Sequence, residues 1–481
     1  MSHFRKLLDF FFNAVFLALT SNTVVQLDIL REIAMRSRVL VDSVGDDYDL
    51  RYHRLTEILV FGLASSLASL SFCVYVLSNF GYRLTAVIGH LMHSFGVFAF
   101  FKGRELPVNV LGTVLLGTSC SLIFNGHSMM SKLLPERYEV PVQHFQSIMS
   151  NVSLVAPALM LYIGEWLKST TGQANYNSLI IGYVFVMNLL TPVVFLTSKS
   201  HKYPKMIDWN VEEDSSDGSE AGGPDSNVES PGVDRDELQV HQPHLLLGSA
   251  LPLPLPQKPE TYPFVPMEEF DYATKNWRNQ VRSLPFLVCA LYMFNVNFRR
   301  AYFLANFREI CFDFLRKPGP ANNLQMFYNY VSVLGFLGTM LWAFCIEISV
   351  QLTLWISVAN SILFQLLLCF PNIWCLRASA VLFAFYNTNI YIEIYYVVTE
   401  FFGKKESNFL QGILFLIGGL GCAGVYLWNQ HASVFFRENW MLQNWLIFMS
   451  SLITLAMPLL RLKMDRDEYM VKVLSHNTKY V

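Results

Sequence analysis

Charge is scarce in this sequence. Only 15% of its 481 residues are Asp, Glu, Lys or Arg, where a soluble protein carries roughly 25%. That shortage excludes an ordinary water-soluble globule. The net charge is −2, so there is no basic field to hold nucleic acid. Cysteine is present but never in a C-x-x-C pair, and no histidine stands at metal-ligand spacing from one. Zinc and dithiol chemistry are therefore not expected, and neither a metal nor a cofactor is expected. The eight cysteines read as small lipid- or core-facing residues.

What the sequence has is hydrophobicity. Some 53% of residues are hydrophobic and 39 are phenylalanine. Runs of about 20 apolar residues suffice to span a bilayer. Such runs fall near residues 8–29, 55–77, 84–101, 108–130, 143–166 and 177–197, then 284–306, 326–347, 351–370, 375–398, 409–428 and 440–461. The expectation is an all-α membrane protein with twelve transmembrane helices in two six-helix halves, 1–197 and 284–481. The N-terminus has a basic start and an apolar run, but no A-x-A cleavage site, so it reads as a first span.

Between the halves, residues 198–283 change character. "VEEDSSDGSEAGGPDSNVESPGVDRDE" is acidic and rich in Ser, Gly and Pro, a composition that cannot bury enough apolar surface to fold. "LPLPLPQKP" favours polyproline II. The segment reads as a linker. Ser215, Ser216 and Ser219 stand beside acidic residues, which makes an acidophilic kinase a candidate partner. The distribution of Lys and Arg among the loops favours cytoplasmic termini and a cytoplasmic linker.

Polar residues inside spans are costly and face cavities or other polar groups. In the seventh run, Tyr292, Asn295, Arg299, Tyr302, Asn306, Glu309 and Asp313 recur at steps of three and four, hence on one helical face. Arg300 lies about 100° around from Arg299. One arginine is expected to line an aqueous path and the other to pair with a neighbouring helix. In the tenth run, Asn389 and Glu393 share a face with Tyr386. Asn22 and Asn125 break the first and fourth runs. Small polar groups of this kind often only join helices. His127 with Asn125 is the sole hint of a membrane enzyme, and no further catalytic group converges with them, so no enzymatic activity is expected. The first half has no carboxylate well inside a run, which argues for facilitated movement rather than proton coupling. Gly418, Gly421 and Gly424 signal close helix packing.

Two sets of six spans joined by a long loop resemble the major facilitator superfamily, whose halves bind substrate between them near the midplane. In "YVLSNFGYRLTAVIG", Gly81, Arg83 and Gly89 fit that family's loop pattern, and Ser78 stands where the pattern has aspartate. The matching second-half loop, "FCIEISVQLTL", retains Glu347. "NFRRAYFLANFREICFDFL" and "VTEFFGKKESNFLQGILFLIGGL" are similar to the facilitative large-neutral-amino-acid (system L type) branch and its apicomplexan relatives. The resemblance implies an amino-acid facilitator or exchanger in the plasma membrane, gated near Gly81, Arg83 and Glu347. It places a substrate arginine at Arg300, where periodicity favours Arg299. The alternatives are a non-transporting membrane sensor or scaffold of transporter ancestry, and a carrier of another small organic solute.

Overall fold

The computed structural model describes residues 27–128, 155–171, 176–197, 277–464 and 466, apart from 334, 336, 339, 340, 343, 344, 346–348, 437 and 438. Asn22, Glu347 and the linker serines lie outside the described residues.

Every described element is helical. The helices are α1 (Leu27–Arg36), α2 (Val41–Val44), α3 (Tyr48–Lys102), α4 (Leu106–Ser128), α5 (Val155–Thr171), α6 (Tyr176–Thr197), α7 (Trp277–Val281), α8 (Leu284–Leu315), α9 (Pro318–Val333), α10 (Val350–Leu367), α11 (Ile373–Phe436) and α12 (Trp440–Ser451). Six segments are long and apolar enough to cross a membrane: Tyr48–Cys73, Arg83–Lys102, Leu106–Gly126, Val350–Leu367, Phe409–Ala432 and Trp440–Met464. Each coincides with an apolar run read from the sequence. α8 is long enough to span, but its asparagines and arginines dilute its apolar character.

α3 contains two of the six segments. It is broken at Gly81, with φ 73° and ψ 172°, a backbone state that costs little only without a Cβ. The helix begins where the Asp47 carboxylate accepts from the backbone N–H of Asp49 and Leu50, at 3.0 and 3.2 Å. This is the expected work of an N-cap. Ser283 caps α8 by accepting from Phe286 N–H at 3.4 Å, and Pro285 sits in its first turn.

The stretch from Arg31 to Arg54 reads as a loop in sequence but is structured. It contains α1, α2 and the first turns of α3. Arg31 is buried. Its Nη1 donates to Thr56 Oγ1 at 2.5 Å and to the Ala305 carbonyl at 3.2 Å, and its guanidinium lies 4.0 Å from the Tyr52 ring centroid. A cation among apolar neighbours reads as loop in sequence because its acceptors come from other helices. α7 falls within the expected linker. It packs Trp277 on Phe409, centroids 4.9 Å apart, and buries Gln280.

α8 is the centre of the C-terminal helices, packed on α9, α11 and α12 and touching α1 and α3, and it reaches α10 through Arg299 and Phe303. At Gly421 a Cβ would overlap the Phe294 carbonyl oxygen, so the bare backbone is what lets α11 and α8 meet. An aromatic cluster fills the next layer: Phe303 stacks on Phe383 at 3.8 Å and on Phe307 at 4.6 Å, with Phe364 and Tyr328 edge-on.

Candidate functional site

A cavity of about 630 Å³ lies between α3 of the N-terminal helices and α8, α11 and α12 of the C-terminal ones. Its walls carry both signs of charge: Asp49, Glu309 and Asp313 against Arg308 and Arg316, with His53, Asn306 and Asn429 between them. The residues come from the start of α3, the end of α8 and the start of α12. The cavity therefore sits at the end of the bundle away from Leu284. Towards the other end, α3 and α11 are joined. Ser71 Oγ donates to the Gly412 carbonyl at 2.6 Å, and the rings of Phe61 and Tyr426 meet at 5.1 Å.

Asn306 and Asn429 exchange amide hydrogen bonds, each 3.1 Å long. They form the seam between α8 and α11 at the cavity wall. Both guanidiniums in question lie deeper. Arg299 and Arg300 are six to seven residues before Asn306, about 9–10 Å along the helix axis.

The polar stripe expected on α8 exists as one face, and that face is divided. Asn306, Glu309 and Asp313 line the cavity. Tyr292, Asn295, Arg299 and Tyr302 are buried and do not. Asn295, Arg299 and Tyr302 face α10 and α12 instead. Asn295 Nδ2 donates to the Ser450 carbonyl at 3.1 Å, and Tyr302 Oη donates to Asn444 Oδ1 at 3.0 Å. Arg299 Nε donates to Asn295 Oδ1 at 2.8 Å, one turn back on the same helix, and Nη1 donates to the Ser361 carbonyl at 3.1 Å.

Arg300 points a different way. Its Nε donates to Asn387 Oδ1 on α11 at 2.5 Å. Tyr386, next to that asparagine, donates to the Val296 carbonyl of α8 at 3.3 Å. The two adjacent arginines thus serve two helix seams, as the 100° turn between them requires.

Asn389 and Glu393 lie on α11, and the placement of their side chains falls outside the described residues. Asn125 sits on α4, where its Nδ2 donates to the Ser121 carbonyl at 2.9 Å. It is remote in fold from the cavity lining. Gly81 is the break in α3, and Arg83 follows it, half-buried.

Sequence reasoning did not single out Asp49, His53 or Arg308 for the cavity, nor Asn387, Ser361 and Gln430 as partners. Asp49 and His53 lay in an apparent loop. Asn387 stands beside Tyr386 in "FYNTNIYIE", where the periodic stripe steps from Tyr386 to Asn389 and passes over it.

Arg308 is held by aromatic rings. Its Cζ lies 4.4 Å from the Tyr52 centroid and 5.6 Å from that of Tyr48, a cation–π arrangement. Beside it, Glu57 of α3 accepts from Arg54 Nη1 at 2.8 Å and from the Gln430 amide of α11, and it lies 3.4 Å from His53 Nε2. On the flank of α1, Arg36 pairs with Glu32 at 2.7 Å, with Tyr176 Oη at 2.9 Å and with Glu165. Burial opposes its charge, and the bonds to Glu32 and Tyr176 outweigh that, raising its pKa above the usual arginine value.

Among the described residues no group of three or more His, Cys, Asp or Glu could hold a metal ion. Comparison with protein-family models returns no match, and comparison with curated proteins returns none.

Proposed function

We propose that this chain is a membrane transporter that moves an amino acid across the plasma membrane by alternating access, in a twelve-span major facilitator fold with cytoplasmic termini. The observation that carries the reading is the cavity between the two sets of helices, whose lining holds carboxylates and guanidiniums together, Arg308, Glu309, Asp313 and Arg316 from the end of α8 and Asp49 from α3. A free amino acid is a zwitterion, and a site offering both signs of charge suits it. Ligands and ions in such folds sit between the repeats. Closure at the Ser71–Gly412 end beside a cavity at the other end is the asymmetry that alternating access requires.

On this reading the substrate enters beside Asp313, Glu309 and Arg308 and moves towards Arg300. Separation of the Asn306–Asn429 pair lengthens the cavity by the two helical turns that bring it to Arg300 and Asn387. There the substrate carboxylate replaces Asn387 Oδ1 on the guanidinium. Asn389 and Glu393, further along α11, are the proposed contacts for the amino group. In the first-half segments able to cross a membrane the carboxylates are Asp49 and Glu57, both in Tyr48–Cys73, and Glu57 is already held by Arg54 and Gln430, which supports a uniporter or exchanger.

The test is uptake of a panel of labelled amino acids in oocytes and in proteoliposomes, with wild type beside Arg300→Ala and Asp313→Asn. Uptake that falls at least tenfold in Arg300→Ala and less in Asp313→Asn supports the route. Normal uptake in both variants removes it. Binding without flux in wild-type proteoliposomes would instead mark a sensor of transporter ancestry.

A further inference from the structure

Arg299 carries a charge with no counter-charge beside it. Its side chain is 0% exposed, and its two hydrogen bonds go to neutral acceptors, Asn295 Oδ1 and the Ser361 carbonyl. Its Nη2 has no hydrogen-bond partner. Among the described residues no carboxylate forms an ion pair with it. A guanidinium buried this way is strongly unfavourable unless something neutralises it.

The surrounding polar atoms share the deficit. The Ser361 hydroxyl and both amide atoms of Gln365 are buried and have no hydrogen-bond partner. Ser361 and Gln365 are one turn apart on α10, hence on one face. The carbonyl of Ser361 holds Arg299, which sets that face against the guanidinium. The seam continues past Gln365, where Asn444 Nδ2 donates to the Leu368 carbonyl at 3.1 Å and accepts from Tyr302. Phe364 and Tyr386 wall the guanidinium, with ring centroids 6.0 and 5.9 Å from its Cζ. The unpaired donors are the two N–H of Arg299 Nη2, the Ser361 hydroxyl and the Gln365 amide NH2. Such donors call for a negative acceptor. A single positive charge among aromatic walls suits one negative charge, not the two of sulfate or phosphate.

We infer that Arg299, Ser361 and Gln365 form a binding site for a small monovalent anion, enclosed among the C-terminal helices. None of the three lines the cavity, and the site does not rest on the transport reading. Two sources share the chemistry: a dissolved halide, or the carboxylate of a small zwitterion whose ammonium would take the Gln365 Oε1 acceptor.

The experiment is thermal unfolding of the full-length protein in nanodiscs, followed by tryptophan fluorescence. The buffer is gluconate at constant ionic strength, titrated with chloride, with nitrate or with glycine. The expected result is a saturable rise in Tm with chloride. Ser361→Ala and Gln365→Leu, which keep the arginine, raise the apparent Kd at least tenfold, and Arg299→Gln abolishes the response. If Arg299→Gln does not fold, the other two variants decide. A saturable rise with glycine but not chloride, weakened by the same variants, assigns the site to a carboxylate. A Tm unmoved by all three solutes, or a response equal in wild type and variants, overturns the site.

Discussion

The guanidinium of Arg308 on α8 lies 4.4 Å from the ring centroid of Tyr52 on α3, and the guanidinium of Arg31 lies 4.0 Å from the same ring. One aromatic side chain thus binds a cation from each set of helices at the cavity wall. Tyr52→Phe keeps the ring face and is expected to retain near wild-type stability. Tyr52→Leu removes it and is expected to cost about 1–3 kcal/mol, since two partly desolvated cation–π contacts of about 0.5–2 kcal/mol each are lost. Thermal unfolding of the two variants in detergent checks this, and equal Tm values would refute it.

The reciprocal amide pair of Asn306 and Asn429 predicts strong non-additivity. Asn306 is buried, so Asn429→Ala strands its amide and should cost about 1–3 kcal/mol. Asn306→Ala should cost a similar amount. The double variant should lose little more than either single one, with a coupling energy of about 1 kcal/mol or more. If the amide pair is also the seam that parts during transport, both single variants shift cysteine accessibility upward at Asn387→Cys, which is buried beyond the pair.

Gly421 tests the α8–α11 contact. Gly421→Ala places a methyl carbon on the Phe294 carbonyl oxygen, an atom of rigid backbone. Forced overpacking costs typically about 1–3 kcal/mol. The expected outcome is a lowered Tm and reduced yield. Gly182→Ala is the control, since nothing lies within 4 Å of that position, and it should leave the Tm nearly unchanged.

The bond from the Gln430 amide to Glu57 joins α11 to α3 near the cavity. Glu57 keeps Arg54 and His53 when Gln430 is removed, so Gln430→Ala is expected to weaken the inter-helix contact while sparing the fold. Glu57→Ala removes all three partners at once. It should cost more, because the Arg54 and Gln430 groups lose their acceptor. Comparing Tm with crosslinking between α3 and α11 separates the two effects. Equal behaviour of the two variants would mean that the bond to Gln430 carries the whole contact.

Much of the helical plan was legible in the chain. The six segments able to cross a membrane coincide with apolar runs, because lipid leaves hydrophobic length as the dominant constraint. The stripe on α8 was legible because residues three and four apart must share a face. The division of that stripe was not. Its outer end borders the cavity while Asn295, Arg299 and Tyr302 turn to α10 and α12, and nothing in local spacing says which helix stands opposite. The helices in the Arg31–Arg54 stretch, which falls between two apolar runs, were not legible for the same reason. Arg31 looks solvated until Thr56, Ala305 and Tyr52 are brought to it.

The pair Arg299 and Arg300 separates the two contributions. The sequence alone determined that adjacent arginines on a helix point about 100° apart, and so cannot serve one partner equally. That is backbone geometry and needs no neighbour. Only the tertiary structure decided which partner each one meets: Ser361 on α10 for Arg299 and Asn387 on α11 for Arg300, from positions 62 and 87 residues away. Those partners are chosen by how the apolar faces of distant helices pack and by the need of each buried guanidinium for an acceptor. Neither requirement is written at the arginines themselves.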